Sequence, residues 1–323
     1  MVGDAWRRSA LAVLGRLPLH LLSRVAGRLA EVELPRRLRR PLLGGFARLV
    51  GVELGEVPLP LESYPSLQAF FTRSLAPGAR PIDPRPDSVL APCDGRVGAF
   101  GTVEEGRLLQ VKGRSYGLAE LLGDPDEAKA LEGGRFATFY LAPRDYHRFH
   151  APCSGRVVAL RYLPGELWPV NRLGVEGVEA LFARNERLVA HFELEAGGPA
   201  GGGGRFAVAA VGATLVGCVR VGFDDLRTGG GGPVLRRYEP GVPVARGEEW
   251  GHFEFGSTLV VVAGPGLLEW ELPGEGAPVR MGRRVGRLFV PSPARGERAG
   301  HGADGCAGGR REEEGRCAHP QPR

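Results

Sequence analysis

The densest group of chemically reactive side chains lies in residues 141–152, LAPRDYHRFHAP, which include His147 and His150. The two histidines are three positions apart, so they would share a face in a helix and could diverge in a turn. Histidine titrates near neutral pH and commonly acts as a general acid or base. A hydrogen-bonded structural histidine is the alternative interpretation. No third side chain nearby has the spacing of a zinc ligand, so no metal is predicted.

Residues 247–259, GEEWGHFEFGSTL, form a second candidate segment, in which Ser257 lies between Gly256 and Thr258. Serine at the start of a β-branched run is usually a turn residue, and this segment lacks the G-x-S-x-G motif that exposes a hydrolase nucleophile. Glycine permits backbone angles that other residues avoid, which would allow a strained Gly256–Ser257 peptide bond. Such strain would suit a serine hydroxyl that attacks the carbonyl group preceding it.

An internal repeat supplies a third candidate, because residues 91–97, APCDGRV, return sixty positions later as residues 151–157, APCSGRV. The repeat predicts two turns that enter equivalent strands of a pseudo-twofold β core. The copies differ only where Asp94 corresponds to Ser154, and the position that departs from its twin is a candidate for chemistry. Simple turn chemistry is the alternative explanation for so short a match.

The elements that must position these residues change character along the chain. A proline-rich linker over 58–65 precedes a short predicted helix over 66–75, with Ser66 as its N-cap. From about residue 88 to residue 290, short β-branched runs alternate with glycine and proline, which indicates an antiparallel β core. Strands are expected at 206–211, 214–221 and 257–262, and a glycine-rich surface loop is expected at 197–204.

Positive charge is concentrated at the N-terminus. Residues 1–50 contain ten arginines and three acidic residues, although the whole chain has a net charge of only +5. Apolar residues recur there at helical spacing, as in Leu21, Leu22, Val25 and Leu29. This pattern predicts a basic amphipathic helix on an anionic membrane surface. A helical hairpin that caps the domain is the alternative, and nucleic acid is not favoured because no aromatic or motif signal supports it.

Several remaining features narrow the class of protein. Arginines interrupt every apolar run of the N-terminal region, so neither a spanning helix nor a signal peptide is predicted. The five cysteines lack metal-ligand spacing, and their odd number does not favour a disulfide framework, which indicates a reduced compartment. Only two lysines occur, Lys112 and Lys129, so few positions could carry a lysine-bound cofactor.

We therefore predict an α+β fold, with N-terminal amphipathic helices followed by a mainly antiparallel β core in the form of a pseudo-twofold barrel or sandwich. The expected domains are a basic helical membrane-binding segment over 1–60, a catalytic domain over 61–292 and a disordered tail over 293–323.

Taken in order, the segments resemble the phosphatidylserine decarboxylase family, of the bacterial proenzyme type. The resemblance covers roughly residues 65–290, and its most specific motifs are DYHRxHxPxxG, PGEL…N and FxRNER. The family's usual LGST appears here as Phe255-Gly256-Ser257-Thr258, which keeps the Gly–Ser pair. The matching stretches are FFTRSL (70–75), PCDGRV (92–97), VKGRSYGLAELLG (111–123), YLAPRDYHRFHAPCSGRV (140–157), LPGELWPVN (163–171), LFARNERLV (181–189), VGATLVGCV (211–219) and GEEWGHFEFGSTLVVV (247–262).

The resemblance implies that the chain cleaves itself between Gly256 and Ser257, and that Ser257 becomes a covalent pyruvoyl group. By similarity, His150 is the base for the Ser257 hydroxyl and Asp94 orients His150, while His147 is the acid of the decarboxylation step. Phosphatidylserine would then form a Schiff base with the pyruvoyl group, lose CO2 and leave as phosphatidylethanolamine. An electron sink of this kind is what decarboxylation of an amino acid requires.

The same resemblance implies the partners and the location. The cleaved α and β chains would form a heterodimer, a homodimer of these is expected, and the enzyme would lie peripherally on the cytoplasmic side of the cell membrane. Lys112, Arg114 and Arg148 are candidates for holding the lipid phosphate. Three alternatives remain open: an inactive membrane-surface β module, a soluble pyruvoyl decarboxylase of a free amino acid, and a serine hydrolase using Ser257, His150 and Asp94.

Overall fold

The computed structural model describes residues 2–111, 114–194, 204–214, 218–254 and 258–289. Residues Met1–Pro291 form one compact unit. The predicted tail over 293–323 and all of the predicted loop over 197–204 except Gly204 lie outside the described residues.

Three helices open the chain: α1 (Val2–Leu14), α2 (Leu19–Glu31) and α3 (Arg36–Val50). Two short 3-10 turns follow at Leu54–Glu56 and Leu61–Ser63. The next helix, α4 (Leu67–Phe71), begins as predicted, because the Ser66 side chain accepts a hydrogen bond from the Ala69 backbone N–H at 3.1 Å.

The helix α4 is shorter than the expected 66–75. The Thr72 backbone N–H still bonds to Gln68, but the Thr72 carbonyl accepts a hydrogen bond from Arg148 Nε at 2.8 Å. This carbonyl is therefore used for a tertiary contact instead of a further helical turn.

The rest of the described chain contains sixteen strands and four more helices. The helices are α5 (Leu118–Leu122), α6 (Pro125–Ala130), α7 (Arg172–Gly177) and α8 (Leu181–Arg184). The strands are β1 (Ser88–Leu90), β2 (Gly95–Thr102), β3 (Arg107–Val111), β4 (Arg114–Gly117), β5 (Arg135–Tyr140), β6 (Arg148–His150), β7 (Gly155–Leu163), β8 (Arg187–Glu193), β9 (Arg205–Val211), β10 (Val219–Val221), β11 (Val234–Val244), β12 (Glu249–Phe253), β13 (Thr258–Ala263), β14 (Leu268–Trp270), β15 (Pro278–Val279) and β16 (Arg284–Leu288).

Two of the three strands expected from β-branched runs are found, as β9 and β13. The prediction over 214–221 is wrong at its start, since Thr214 lies in a turn. Val219–Val221 is a strand, and residues 215–217 lie outside the described residues. The Thr214 hydroxyl donates a hydrogen bond to the Leu167 carbonyl at 2.6 Å, which ties this residue to a neighbouring loop.

The strands form a mainly antiparallel β core, as predicted. Its largest sheet has eight strands in the order β11-β7-β8-β9-β13-β5-β2-β15. Two three-stranded sheets, β1-β16-β14 and β10-β12-β6, and the pair β3-β4 complete the core. Within the described part of the chain β11 and β15 do not pair with each other, so the expected closure into a barrel is not observed there.

Both faces of the large sheet are buried, which explains why β13 reads as a continuous apolar run. Alternate residues of a strand point to opposite faces. Leu259 and Val261 accordingly join one hydrophobic cluster, shared with the two three-stranded sheets, whereas Val260 joins a second cluster shared with α5 and α8. A strand covered on both sides needs no polar alternation.

One edge of this sheet gathers several of the segments that the sequence singles out. Thr258, at the start of β13, lies opposite both Tyr140 and Val211. Arg96 near the start of β2 also lies opposite Tyr140, and Arg187 at the start of β8 lies opposite Val211. The chain segments just before β2, β8 and β13, and just after β5 and β9, therefore meet along one edge.

The internal repeat corresponds to a local pseudo-twofold arrangement. The Leu90 N–H donates to the Pro152 carbonyl at 2.9 Å, and the His150 N–H donates to the Pro92 carbonyl at 2.7 Å. The two copies of the repeat thus lie side by side and exchange equivalent hydrogen bonds.

The partners of the two copies are equivalent as well. The Gly282 N–H donates to the Ala91 carbonyl, and the Gly247 N–H donates to the Ala151 carbonyl. Both glycines have a left-handed backbone, with φ of 83° and 79°. Residues other than glycine rarely adopt this backbone conformation, which explains why both turns contain glycine at this position.

The N-terminal helices leave many apolar side chains exposed. On α2 the exposed fraction reaches 45% for Val25 and 68% for Leu29, and on α3 it reaches 85% for Leu49. The buried side of α3 packs through Leu43 and Ala47 against the linker and α4. No helix among the described residues is long and apolar enough to cross a membrane.

Candidate active site

The two candidate histidines are brought to the large sheet by β6 and by the turn before it. The strand β6 pairs with β12, where His150 lies opposite Glu249. The His147 carbonyl accepts a hydrogen bond from the Phe253 N–H at 2.9 Å. Because Phe253 ends β12, His147 lies beside the strand that leads toward the predicted cleavage site.

His147 is fully buried, and only one of its ring nitrogens has a partner. Its Nδ1 lies 2.8 Å from the Asp145 carbonyl, which can only accept, so Nδ1 carries the proton. Its Nε2 is a buried acceptor with no partner among the described residues, and the Phe71 ring packs against the imidazole at 4.0 Å between centroids. Burial lowers the pKa of His147 to about 3, and the charge of Arg73 acts in the same direction.

His150 has the same tautomer in a different environment. Its Nδ1 lies 3.0 Å from the Gly247 carbonyl, so Nδ1 is the donor. Its Nε2 lies 3.1 Å from the Tyr146 hydroxyl, which must therefore donate to it. Burial lowers the pKa of His150 below its usual value, although the Gly247 contact opposes the shift. Both histidines are therefore neutral bases at neutral pH.

Asp94 lies in the loop before β2 and is bound by Arg80. Arg80 Nη2 lies 2.5 Å from one carboxylate oxygen of Asp94, and Arg80 Nε lies 2.9 Å from the other. The Met281 backbone N–H donates to the same carboxylate at 2.9 Å. Within the described residues Asp94 forms no hydrogen bond to His150, but its charge opposes the lowering of the His150 pKa. The expected orienting contact between Asp94 and His150 is therefore not direct in this structure.

Comparison with Ser154, the equivalent residue of the second repeat copy, shows which contact only Asp94 makes. Ser154 accepts a hydrogen bond from the Arg246 backbone N–H at 3.0 Å, just as Asp94 accepts one from Met281. A hydroxyl is therefore sufficient for the turn. The ion pair with Arg80 is the contact that only the aspartate copy makes.

Arg80 joins Asp94 to the 3-10 turn Leu54–Glu56, which follows α3. Besides Asp94 it binds Glu56 with Nη1 and Nη2, at 2.8 and 2.6 Å, and its side chain is only 6% exposed. Glu56 also pairs with Arg280 at 2.8 Å, and the arginines lower the pKa of Glu56. The guanidinium fork and the Met281 N–H thus fix the carboxylate of Asp94 together.

The predicted cleavage site, Gly256–Ser257, lies outside the described residues. Its flanks are described, and both are buried. The Glu254 N–H donates to the Cys218 carbonyl at 2.9 Å, one residue after the Phe253–His147 contact. On the other side Thr258 begins β13, and its buried hydroxyl has no partner among the described residues.

Residues 182–187, FARNER, support this edge of the sheet structurally. The Asn185 amide donates to the carbonyls of Trp168 and Gly212, both at 2.8 Å. Glu186 accepts from the Tyr162 hydroxyl at 2.5 Å and from the Gly229 N–H at 2.8 Å. These contacts hold the loops that surround the ends of β7 and β9.

Of the three basic residues proposed for the lipid phosphate, two are described. Lys112 lies outside the described residues, and Arg114 is exposed at the start of β4. Arg148 is already engaged by Glu249 at 2.7 Å and by the Thr72 carbonyl.

Two residues of the site are missed by the sequence analysis. Tyr146 lies in the histidine cluster, and its position four residues before His150 is the available signal, but a strand and turn can place it anywhere. Arg80 lies in a second proline-rich stretch, between α4 and β1, and nothing in its sequence neighbourhood predicts that it binds Asp94. Both contacts depend on tertiary packing.

Two buried neutral imidazoles, each with Nε2 as an acceptor, define an enzyme site for general acid–base chemistry. Among the described residues no group of three or more His, Cys, Asp or Glu side chains could hold a metal ion.

Comparison with known proteins agrees with this class of site. The family model described as phosphatidylserine decarboxylase matches residues 67–287. A phosphatidylserine decarboxylase proenzyme of Myxococcus xanthus is 40% identical over 272 residues, covering 84% of this chain and 95% of the relative. Proenzymes of the same name from Azotobacter vinelandii and Anaeromyxobacter are 41% and 42% identical, covering 88% and 86% of this chain and 100% and 98% of theirs.

The chain therefore belongs to the phosphatidylserine decarboxylase family, as the resemblance predicted, and it is a decarboxylase by that membership.

Proposed function

We propose that this protein cleaves itself between Gly256 and Ser257 and then converts phosphatidylserine to phosphatidylethanolamine and CO2 at a membrane surface. The observation that carries the proposal is the position of the flanks of the cleavage site. Before the site, Phe253 is hydrogen-bonded to His147. After it, Thr258 begins a buried strand beside Tyr140. Only four residues separate Phe253 from Thr258, which supports the proposal that Ser257 acts beside the histidines.

For self-cleavage, the family resemblance assigns His150 as the base, and its neutral imidazole with Nε2 as acceptor supports this role. The Ser257 hydroxyl oxygen forms a bond to the Gly256 carbonyl carbon, and its proton goes to His150 Nε2. The C–N bond between Gly256 and Ser257 then breaks, and the proton passes from His150 to the Ser257 amine, which leaves an ester. Loss of the Ser257 α-proton then expels the Gly256 carboxylate. The dehydroalanine left at position 257 takes up water and releases ammonia, which leaves a pyruvoyl group. The lowered pKa of His150 keeps Nε2 unprotonated at neutral pH for the first step.

The residues near Ser257 fit a pyruvoyl group. His147 Nε2 and the Thr258 hydroxyl are buried polar atoms without a partner among the described residues, as expected beside a polar group that forms only after cleavage. When present, the pyruvoyl group supplies the electron-accepting carbonyl that decarboxylation requires.

We propose a narrower role for His147 than that of a permanently protonated acid. An imidazole whose pKa is lowered to about 3 has no spare proton at Nε2, so it is not a standing acid. His147 Nε2 can instead take a proton from the substrate ammonium and return a proton to the product carbon. The Asp145 carbonyl holds Nδ1–H and keeps Nε2 directed for both transfers.

After cleavage, we expect the two chains to remain together as a heterodimer. The strand β13 follows the cleavage site, and it lies between β5 and β9, which both precede it. A homodimer of these heterodimers stays a prediction from the family resemblance.

The exposed apolar side chains of α2 and α3 support a peripheral position on a membrane. Leu22 and Leu29 are 41% and 68% exposed on α2, and Arg24 and Arg28 are exposed on the same helix. Apolar side chains can enter the acyl boundary while arginines bind lipid phosphates. We propose the cytoplasmic side of the cell membrane as the location, as the family resemblance implies.

The proposal is tested by measuring both reactions in the same variants. In vesicles that contain phosphatidylserine, the wild-type protein should release CO2, and Ser257→Ala should give an uncut and inactive chain. His147→Ala should cut itself but lose decarboxylation, whereas His150→Ala should fail to cut. Normal cleavage in Ser257→Ala would refute the cleavage site, and loss of cleavage in His147→Ala would refute the division of roles.

A further inference from the structure

A cavity of about 340 Å³ lies between the end of α3, the loop before β2 and the turn after β5. Asp94 and Tyr146 form part of its wall, and Tyr146 is hydrogen-bonded to His150. The arginine–carboxylate pairs of the wall are Arg80 with Glu56 and Asp94, Arg280 with Glu53 and Glu56, and Arg144 with Asp145. Every acidic residue of the wall therefore already has an arginine partner.

Arg73, in the FFTRSL segment, also lines this cavity and differs from the paired arginines. Arg96 lines it too and has no carboxylate partner among the described residues, but it is exposed and donates to the Gly276 carbonyl at 2.7 Å. Arg73 is the buried exception. It is 4% exposed, yet no carboxylate among the described residues lies within ion-pair distance of it. Its Nη1 and Nη2 reach the carbonyls of Phe70 and Arg144 only at 3.4 and 3.3 Å, and its Nε has no partner among the described residues.

Arg187 shows how this fold satisfies a buried arginine that has a structural role. It is equally buried, at 4% exposed, and donates to the carbonyls of Leu121, Asn185 and Glu120 at 2.7, 2.8 and 2.5 Å. It does not line the cavity that contains Arg73. The long contacts and the free Nε of Arg73 are therefore not a general property of buried arginines in this protein.

A buried guanidinium with no directly bonded counter-charge is costly, and arginine cannot relieve the cost by losing its proton. Burial lowers the pKa of Arg73 and outweighs the carboxylates of Asp94, Glu56 and Asp145, which act on Arg73 only from beyond ion-pair distance. A planar fork with unused donors, facing a cavity, matches the geometry of a carboxylate or phosphate oxyanion. We propose that this cavity binds an oxyanion of the lipid headgroup on Arg73, and that this oxyanion is the phosphodiester. The proposal deepens the proposed function and rests on it for the identity of the lipid.

The chemistry of the reaction favours the phosphodiester over the carboxylate. An arginine that bound the carboxylate would stabilise the substrate before CO2 is lost, which slows the reaction. The phosphodiester keeps its charge from substrate to product, so an arginine on it can hold the headgroup without opposing the chemistry.

Arg73 also links headgroup binding to His147. The positive charge of Arg73 helps to lower the pKa of His147, because like charges disfavour the protonated imidazole. An oxyanion bound to Arg73 would cancel part of this charge. Proton uptake by His147 Nε2 would then become easier once substrate is in place.

Thermal unfolding of the full chain tests the site without any catalytic step. The parent is the Ser257→Ala chain, which is compared with Arg73→Met, Arg73→Lys and the equally buried control Arg187→Met, each made in that background. The probes are glycerophosphoserine, glycerophosphoethanolamine, L-serine and inorganic phosphate. We expect both glycerophosphodiesters to raise the Tm of the parent and of Arg187→Met, and to bind Arg73→Met at least about tenfold more weakly. Arg73→Lys should be intermediate.

The unliganded Tm provides a second, independent readout. Arg73→Met should be at least as stable as the parent, because it removes an uncompensated buried charge, whereas Arg187→Met should be clearly less stable. A Tm loss in Arg73→Met with an unchanged response to the probes would overturn the proposal. So would a response to L-serine and glycerophosphoserine alone, which would indicate a carboxylate site, or a response to inorganic phosphate that equals those of the phosphodiesters. Because no cleavage is required, failure of the proposed self-processing would leave these results unaffected.

Discussion

His147 and His150 carry the same tautomer for the same physical reason, a backbone carbonyl at Nδ1. They differ at Nε2, which is free of protein partners among the described residues in His147 and bound to the Tyr146 hydroxyl in His150. This difference separates a nitrogen available to a bound substrate from one that already accepts a hydrogen bond from a protein hydroxyl. It gives a structural reason for assigning the two histidines to different steps.

The Tyr146 contact predicts a shift in the pH dependence of self-cleavage in Tyr146→Phe. The hydroxyl donates to neutral Nε2, so its removal favours protonation and raises the pKa of His150. Cleavage that needs the neutral base is lost as pH falls through this pKa, so the acid limb of the variant should move to higher pH. A hydrogen bond of about 1 kcal/mol corresponds to a shift of somewhat less than about one pH unit.

The measurement is the rate of appearance of the cut chains as a function of pH, followed by gel or mass spectrometry. Phenylalanine keeps the ring that packs beside His150, so the unfolding temperature of the variant should remain close to that of the wild type. An acid limb that stays in place would show that Tyr146 does not set the protonation of His150.

At this scale the sequence predicts residue types and not their partners. The histidine cluster and the Asp94/Ser154 difference identify three side chains that the structure places near one sheet edge. The partners could not be predicted, because Arg80 lies fourteen positions before Asp94, on the other side of β1, and Gly247 reaches His150 from a distant turn. The burial that lowers the pKa of His147 is likewise a property of the folded molecule.

At the scale of the elements, the two turns of the internal repeat share their backbone hydrogen bonds but carry different side chains, Asp94 and Ser154. Both turns place a side-chain oxygen on a backbone N–H, of Met281 in one copy and of Arg246 in the other. Since Ser154 fills this role with a hydroxyl, the charge of Asp94 is not needed for the turn.

This equivalence predicts that Asp94→Ser keeps the fold and loses self-cleavage. The serine should retain the Met281 contact, and Arg80 should retain Glu56, while the rate of cleavage falls by about a hundredfold or more. The matched control is Ser154→Ala, which should lose about 1 kcal/mol of stability with the turn contact and still cleave normally. Circular dichroism and the fraction of cut chain measure the two effects. Normal cleavage in Asp94→Ser would mean that the carboxylate has no part in the reaction.

The elements also show where sequence patterns succeed and fail. The β-branched run of β13 was sufficient to predict a strand, because both faces of the large sheet are covered and no polar alternation is required. The run over 214–221 was misleading, because the Thr214 hydroxyl is held by Leu167 in a turn. Contacts of this kind connect distant segments and leave no periodic signal.

In the whole molecule, the apolar surface is concentrated on the N-terminal helices, beside arginines. We expect the double variant Leu22→Glu, Leu29→Glu to lose binding to phosphatidylserine vesicles by about a hundredfold or more, since each buried leucine contributes about 1.5–3 kcal/mol. Self-cleavage should be unchanged, because both side chains are exposed on α2.

Vesicle co-sedimentation of the uncut and cut protein measures this effect. The matched control is Leu235→Glu, because Leu235 is 40% exposed on β11, outside the helical segment. Equal loss of vesicle binding in the control would contradict a specific membrane role for the helices.

The central claim, that the chain converts its own Ser257 into a pyruvoyl group, is tested most directly by the intact mass of the purified protein. The account predicts two chains, residues 1–256 and 257–323, with the shorter chain lighter by one NH3 than a chain that begins with serine. A single mass for all 323 residues would contradict it. Two chains of which the shorter keeps its N-terminal serine would contradict it equally, because simple hydrolysis would then explain the cut.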